Sequence, residues 1–170
     1  MASYEYGKAD IDNWIREHFQ RGSSCLDVGA CDGKWSDMLR DYLIMDACEV
    51  WTPNIEEHRL QEKYRRVYNC SVQRMTYDWY DLIIFGDVIE HMEVSVAQAV
   101  LSIAKHRCTD MVVAVPFLYP QSELYGNPYE RHIQDDLTPE IFAERYQGFE
   151  EILNLGNYCY YHRSTLPPSR

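Results

Sequence analysis

Two short stretches of this chain carry residues that could bind a polar ligand and transfer a proton. In the first, Asp27 and Gly29 end an apolar strand, and Gly33 follows four residues later. Glycine lets the backbone approach a ligand or adopt positive φ, and a helix that begins at such a turn directs N–H groups at the ligand. In the second, residues 86–91 read Gly-Asp-Val-Ile-Glu-His and directly follow the apolar run 80–85. We therefore expect a binding turn after one strand and candidate acid–base groups after another.

The elements that must position these residues alternate between helix and strand. Apolar periodicity predicts this order: helix 9–20, strand 25–28, a helix to about 42, a strand within 43–51, helix 52–64, strand 66–70, strand 80–85, helix 94–106 and strand 111–115. Thr52 followed by Pro53 is expected to start the helix at 52, with Thr52 as its N-cap. The unbroken apolar run 80–85 is typical of a parallel strand covered on both faces. This alternation predicts an α/β fold with a doubly wound, mostly parallel sheet and helices on both faces.

The C-terminal third follows a different pattern. A long polar and aromatic connection, residues 116–136, precedes Thr138, which with the next proline predicts another helix start. The apolar stretches 149–155 and 158–162 flank a Gly-Asn pair and predict an antiparallel hairpin. The sheet is therefore expected to end in antiparallel strands.

Length and charge limit the classes of protein that fit. The 170 residues can bury a core without disulfides or metal. We predict one domain, 1–170, with an N-terminal helix within 1–22 and a substrate-side loop at 116–136. The net charge of −11 argues against a surface that binds nucleic acid, because phosphate binding needs clustered Lys and Arg.

Cysteine usage and hydropathy indicate the compartment. Six cysteines are present without a Cys-x-x-Cys pair, and four of them lie in apolar strand-like runs, which predicts buried thiols in a reducing compartment. The N-terminus has no apolar leader core, and no run approaches the roughly 18 apolar residues of a membrane span. We expect a cytoplasmic protein that does not act at a membrane.

The glycine turn disfavours one class of cofactor and resembles the motif that binds another. Cys31 occupies the place of the second glycine in the dinucleotide fingerprint, so a pyrophosphate fits poorly and a nicotinamide oxidoreductase is disfavoured. Residues 27–33, Asp-Val-Gly-Ala-Cys-Asp-Gly, resemble motif I of the class I (Rossmann-like) S-adenosylmethionine-dependent methyltransferases, whose usual form is acid-x-Gly-x-Gly-x-Gly. Cys31 is a departure of a kind that this family tolerates.

The stretch 86–91 strengthens the resemblance, because it is similar to motif IV of the same family. The resemblance implies a seven-stranded Rossmann-like sheet with an antiparallel C-terminal strand. It implies S-adenosyl-L-methionine as cofactor and S-adenosyl-L-homocysteine as product. The cofactor-binding residues that it implies are Asp27, Gly29, Ala30 and Gly33 in the glycine turn, Ser71 and Val72 near the adenine, and Gly86 and Asp87 beside the methionine part and its methyl group.

An acid after the second strand is expected to hold the ribose hydroxyls. Glu49 lies 20 residues after Gly29, the spacing expected in a βαβ unit, and Val50 covers the ring beyond it. Asp46 is the alternative candidate for this role.

Two histidines are candidate catalytic residues. Methyl transfer from a sulfonium needs a base only when the acceptor must lose a proton. His91 follows the fourth strand, and His132 lies in the loop after the fifth strand, so both are predicted as catalytic candidates. His132 with the acidic pair 135–136 offers oxygen and nitrogen ligands for a metal, but acids before a helix more often interact with its dipole. We expect no metal.

The sequence favours a methyltransferase that acts on a small-molecule acceptor. One alternative is an RNA or protein methyltransferase recruited by a partner, which the acidic charge disfavours. Another is a non-catalytic module that binds S-adenosylmethionine, which the departures Cys31 and Ser71 leave open. The acceptor atom and the oligomeric state stay undetermined.

Overall fold

The computed structural model describes residues 6–165 and contains one sheet of seven strands. In chain order the strands are β1 (Ser24–Val28), β2 (Ile44–Cys48), β3 (Arg66–Tyr68), β4 (Tyr80–Gly86), β5 (Cys108–Pro116), β6 (Glu150–Asn154) and β7 (Tyr158–Ser164). Their order across the sheet is β3-β2-β1-β4-β5-β7-β6, and only β7 runs antiparallel to its neighbours. The predicted doubly wound sheet with an antiparallel C-terminal strand is confirmed.

Helices cover both faces of this sheet. They are α1 (Lys8–His18), α2 (Lys34–Leu39), α3 (Thr52–Glu57), α4 (Leu60–Lys63), α5 (Val94–Ala104) and α6 (Pro139–Arg145). Alternate residues of β4 enter the two cores: Leu82 and Ile84 pack with α1 and α2, whereas Ile83 and Phe85 pack with α5 and α6. All four side chains are fully buried, which explains why this strand is apolar without alternation.

The helix predicted over 52–64 is interrupted. Arg59 adopts left-handed backbone angles (φ 50°, ψ 47°) and separates α3 from α4. The break lets α4 bury Leu60 completely against the glycine turn. The predicted cap was also wrong: Trp51 is the N-cap of α3, and the hydroxyl of Thr52 contacts Asn69 instead. The second predicted cap is confirmed, since Thr138 accepts a hydrogen bond from the N–H of Ile141.

The sheet register brings three predicted site residues to one edge. Val28 pairs with Cys48 of β2 and with Phe85 of β4. The residues that follow these positions are Gly29, Glu49 and Gly86. The order of strands along the chain reverses between β1 and β4, and ligands of open α/β sheets bind beside the carboxyl ends of the strands at such a point.

The prediction of buried thiols is confirmed for four of the six cysteines. All six cysteines are free, and four of them are buried: Cys25, Cys48, Cys108 and Cys159. Within residues 6–165 no helix is long and apolar enough to cross a membrane. A cytoplasmic location stays a prediction.

Candidate active site

A cleft opens over the carboxyl ends of β1, β2 and β4, and the loop 116–136 forms its opposite wall. Nine of the predicted site residues line it: Gly29, Glu49, Val50, Ser71, Val72, Gly86, Asp87, His91 and His132. The loop contributes Pro116, Tyr119, Gln121, Asn127, Tyr129 and Glu130 as well. The topology therefore assembles in one cavity residues that lie more than 100 positions apart in the chain.

Three predicted site residues do not line the cleft. Asp27 is 1% exposed and accepts a hydrogen bond from the hydroxyl of Tyr64, and burial raises the pKa of this carboxyl to about 7. Ala30, within the turn, is 4% exposed, and Gly33 is the N-cap of α2. These three residues shape the glycine turn from behind.

The glycine turn needs its glycines for steric reasons. Gly29 has φ +72°, and a Cβ there would lie 2.7 Å from a methyl group of Val88. Gly33 has φ +79°, and a Cβ there would lie 2.7 Å from Cδ of Lys63. Cys31, at the place of the missing glycine, also takes positive φ, +49°. The departure from the family motif therefore leaves the left-handed path of the turn intact.

The expectation that the turn offers free N–H groups was wrong for most of its residues. The N–H groups of Gly29 and Ala30 both point at the carbonyl oxygen of Cys48, at 2.8 and 3.4 Å. The N–H of Gly33 donates to the carbonyl oxygen of Ala30. The first two bonds extend the β1–β2 ladder into the turn, and the third closes the turn on itself. With these N–H groups already used, the turn is better suited to a ligand that packs against it than to a phosphate.

Glu49 is held in a fixed position at the end of β2. One carboxylate oxygen accepts from the N–H of Cys31 at 2.8 Å, and the other accepts from the N–H of Trp51 at 2.7 Å. The residue is 4% exposed; burial raises the pKa of Glu49, and the two N–H bonds oppose that rise. The side chain of Asn54 also hydrogen-bonds this carboxylate, and the lone pairs that remain can accept from hydroxyl groups of a ligand in the cleft.

Asp46 cannot take this role. Its carboxylate is fully buried and binds the guanidinium groups of Arg65 and Arg66 as well as the hydroxyl of Tyr80. Burial alone would raise the pKa of Asp46, but these hydrogen bonds outweigh it and lower the pKa. Asp46 lies outside the cleft and holds β2, β3 and β4 together.

The end of β4 places a backbone gap and a carboxylate beside each other. A Cβ on Gly86 would lie 2.8 Å from the indole nitrogen of Trp35, so only glycine fits between this buried nitrogen and the cleft without a close contact. Asp87 takes positive φ, +55°, and accepts from the hydroxyl of Tyr158 at 2.8 Å. Its other oxygen is buried and has no hydrogen-bond partner among the described residues. Burial raises the pKa of Asp87 to about 6, which the positive charge of Lys8 opposes.

Sequence reasoning missed Lys8, a buried cation behind this gap. Lys8 is 3% exposed, and its ammonium lies 4.1 Å from the centroid of the Trp35 ring. Within residues 6–165 neither the ammonium nor the indole N–H has a hydrogen-bond acceptor. Burial lowers the pKa of Lys8, and the charges of Asp87 and Asp27 raise it. A helical wheel carries the signal, because Lys8 shares the buried face of α1 with Ile11 and Ile15 at positions i, i+3 and i+7.

The far wall of the cleft follows β2 and β3. Ser71 begins a short 3₁₀ turn, Val72–Arg74, and its hydroxyl accepts from the N–H of Gln73. Val72 is 7% exposed and Val50 partly exposed, and these two side chains supply apolar surface to this wall. At the mouth, the rings of Trp51 and Tyr129 meet edge to face at 6.3 Å.

The two candidate histidines meet at the other end of the cleft. Their ring centroids lie 4.7 Å apart. Nδ1 of His91 lies 3.1 Å from the carbonyl oxygen of Arg131, and Nδ1 of His132 lies 2.7 Å from that of Tyr119. Since a carbonyl only accepts, Nδ1 carries the proton in both rings and Nε2 keeps its lone pair. Burial lowers the pKa of His91 to about 4 and lowers that of His132, so both are neutral at pH 7.

The acidic pair that was weighed as a metal site with His132 is engaged elsewhere. Asp136 forms a two-pronged ion pair with Arg145 of α6, with one N–O distance of 2.7 Å, and Asp135 is exposed. Among the described residues, Asp135 and Asp136 therefore form no ligand cluster with His132.

Comparison with known proteins identifies the fold. No protein-family model and no curated protein matches the sequence. Among solved structures, an S-adenosylmethionine-dependent methyltransferase from Clostridium acetobutylicum superposes with a TM-score of 0.70 at 11% identity, over 95% of this chain and 92% of that one.

Two further neighbours were solved with the cofactor or its product. The 1,6-didemethyltoxoflavin-N1-methyltransferase of Burkholderia thailandensis, with S-adenosylhomocysteine bound, gives a TM-score of 0.65 at 17% identity over 94% of this chain and 78% of that one. The magnesium protoporphyrin IX methyltransferase of Synechocystis, with S-adenosylmethionine bound, gives a TM-score of 0.61 at 14% identity, over 92% of this chain and 77% of that one. The chain has the fold of the class I S-adenosylmethionine-dependent methyltransferases, as the sequence resemblance implied.

Proposed function

We propose that the protein is a methyltransferase that binds S-adenosylmethionine in this cleft and transfers its methyl group to a small molecule. The observation that carries the proposal is the set of buried polar atoms around Gly86. The ammonium of Lys8 and the indole N–H of Trp35 lack an acceptor, and one oxygen of Asp87 lacks a donor, among the described residues. An amino acid's carboxylate and ammonium supply both.

The methionine part of the cofactor fits this set. Lys8 and Trp35 lie directly behind the Gly86–Asp87 wall, and Gly86 has no side chain to block the approach. We assign the carboxylate to Lys8 and Trp35, and the ammonium to Asp87, which Tyr158 holds in place. When bound, the cofactor supplies an electrophilic methyl group on a sulfonium.

The remaining predicted residues account for the nucleoside. Glu49 is proposed to accept from the two ribose hydroxyls, because its carboxylate is fixed and faces the cleft. Val50, Ser71 and Val72 are proposed to flank the adenine along the wall that follows β2 and β3. Asp27, Ala30 and Gly33 would act indirectly by holding the turn that carries Gly29.

The acceptor end of the cleft suits a small molecule. Its walls come from the loop 116–136, which supplies aromatic, amide and imidazole groups through Tyr119, Gln121 and His132. Within the described residues α1 contributes nothing to the lining of this acceptor end; its Lys8 lies buried behind the Gly86–Asp87 wall at the cofactor end. The net charge of −11 disfavours RNA as acceptor.

We expect the protein to convert S-adenosylmethionine to S-adenosylhomocysteine when it is given a panel of small hydroxylated and amine-bearing molecules. Mass spectrometry would measure the product, with RNA and protein lysate as separate arms and Glu49→Ala as the inactive control. Turnover only with RNA or protein would overturn the small-molecule assignment. Cofactor binding without turnover in any arm would favour a non-catalytic module.

A further inference from the structure

Three potential metal ligands meet at the acceptor end of the cleft. One ligand atom from each of Glu90, His91 and His132 lies within 4.8 Å of the other two, and all three residues line the cavity. Glu90 is fully buried, and neither of its carboxylate oxygens has a hydrogen-bond partner within the described residues. A carboxylate so deep in a protein is costly unless a cation or a donor compensates it.

The two imidazoles are oriented as metal ligands are. Each ring donates its Nδ1–H to a backbone carbonyl, of Arg131 for His91 and of Tyr119 for His132. Metal-bound histidines are almost always anchored in this way through the nitrogen that does not bind the ion. The free Nε2 atoms of both rings are thereby available to one ion.

The backbone holds the three residues together across 40 positions of sequence. The carbonyl oxygen of Glu90 accepts from the N–H groups of Ile133 and Gln134, at 2.8 and 2.9 Å. The side-chain amide of Gln134 donates to the carbonyl oxygens of Ile89 and Met92, at 2.7 and 3.0 Å. These four bonds tie the loop that carries His132 to the turn that carries Glu90 and His91.

We propose that Glu90, His91 and His132 bind a divalent transition-metal ion whose open coordination positions face the cleft. Two imidazole nitrogens and one carboxylate are a donor set that suits Zn²⁺, Mn²⁺ or Fe²⁺. Ligand atoms at about 2.1 Å from one ion are roughly 3 to 3.5 Å from each other. Side-chain rotations that move the ligand atoms by about 1 Å would therefore bring the three groups to coordination distance. This proposal departs from the sequence-based expectation of no metal, which considered acids 135–136 instead of Glu90.

A metal ion at this position would favour one class of methyl acceptor, and this inference about the acceptor rests on the proposed methyltransferase function. A hydroxyl oxygen bound to the ion would lose its proton to solvent, because a divalent cation lowers the pKa of a coordinated O–H group. The resulting oxygen would be the nucleophile toward the methyl donor beside Gly86 and Asp87. The acceptor is then a phenol or another hydroxylated small molecule, and His91 and His132 act as ligands and not as bases.

Manganese titration tests the site without any cofactor. Protein freed of metal by a chelator is titrated with Mn²⁺, and the electron paramagnetic resonance signal of free Mn²⁺ reports binding. We expect one ion per chain, and a loss of affinity of roughly tenfold or more in Glu90→Gln and in His132→Asn. The control is His106→Asn, which removes an exposed histidine outside the cluster and should bind Mn²⁺ as the wild type does.

Circular dichroism would establish that each variant is folded, and His132→Asn stands in for Glu90→Gln if the latter does not fold. Folded wild type that binds no Mn²⁺ and no Co²⁺ would overturn the proposal, as would equal binding in wild type and both variants. A titration of metal-free protein with S-adenosylhomocysteine separates the two claims. If Mn²⁺ binds and the nucleoside does not, the metal site stands and its assignment to a methyl acceptor falls.

Discussion

Replacing Glu49 by alanine is expected to weaken S-adenosylmethionine binding by roughly a hundredfold or more. Two charge-assisted hydrogen bonds to the ribose hydroxyls contribute about 3 kcal/mol or more together, and each 1.4 kcal/mol is about tenfold in affinity. The effect should be large because Glu49 is fixed by the N–H groups of Cys31 and Trp51 before any ligand arrives. Isothermal titration calorimetry with the cofactor would measure the change.

The same two N–H bonds make a control necessary. Glu49→Ala also removes the acceptors of Cys31 and Trp51, so the variant must be shown to unfold with a cooperative thermal transition. Glu57→Ala removes an exposed glutamate from the nearby helix α3 and should leave the dissociation constant unchanged. If Glu49→Ala binds the cofactor as tightly as the wild type, the ribose assignment is wrong.

Replacing Lys8 by methionine is expected to change binding and stability in opposite directions. Affinity for S-adenosylmethionine should fall by roughly tenfold or more, because the carboxylate of the cofactor loses its charge-assisted hydrogen bond to residue 8. The ligand-free protein should be as stable as the wild type or more stable, because a buried ammonium without an acceptor is costly and methionine has a similar shape. Calorimetric titration and scanning calorimetry measure the two quantities.

The opposite signs separate a ligand-binding role from a structural one. A lysine that only supports α1 would, when replaced, lower the melting temperature and leave the affinity unchanged. Lys105→Met, at the C-cap of α5, is the matched control and should leave the affinity unchanged. A destabilised Lys8→Met variant that binds the cofactor normally would refute the carboxylate assignment.

The sheet and its glycine turn were predictable because their signals are local. The apolar run 80–85 shows directly that β4 is covered on both faces. The distance from Gly29 to Glu49 follows from the length of one strand-helix-strand unit, so both residues could be placed at the same edge before the register was known. The hairpin at Gly156 likewise follows from turn chemistry.

The rest of the candidate site depends on contacts between distant segments. Lys8 becomes a candidate ligand-binding residue only because the packing of α1 places its ammonium over the Trp35 ring. His132 meets Glu90 and His91 because backbone bonds fold the irregular loop 116–136 back over β4, and loops carry no periodicity from which such a path can be read.

Local geometry also overturned two predictions. The N–H groups of Gly29, Ala30 and Gly33 are bonded to backbone carbonyls of the protein, which a sequence does not show. The helix after β2 is interrupted at Arg59, which adopts a left-handed conformation. Glycine and asparagine are the usual residues in this conformation, so an arginine gives no signal for the break.

The central claim is that the cleft binds an S-adenosyl nucleoside, and calorimetric titration of the wild-type protein with S-adenosylhomocysteine tests it most directly. We predict one site per chain with a dissociation constant on the order of micromolar, and no heat of binding with NADH. Folded protein that binds neither S-adenosylhomocysteine nor S-adenosylmethionine would contradict the claim. The chain would then share the fold of these enzymes without their cofactor.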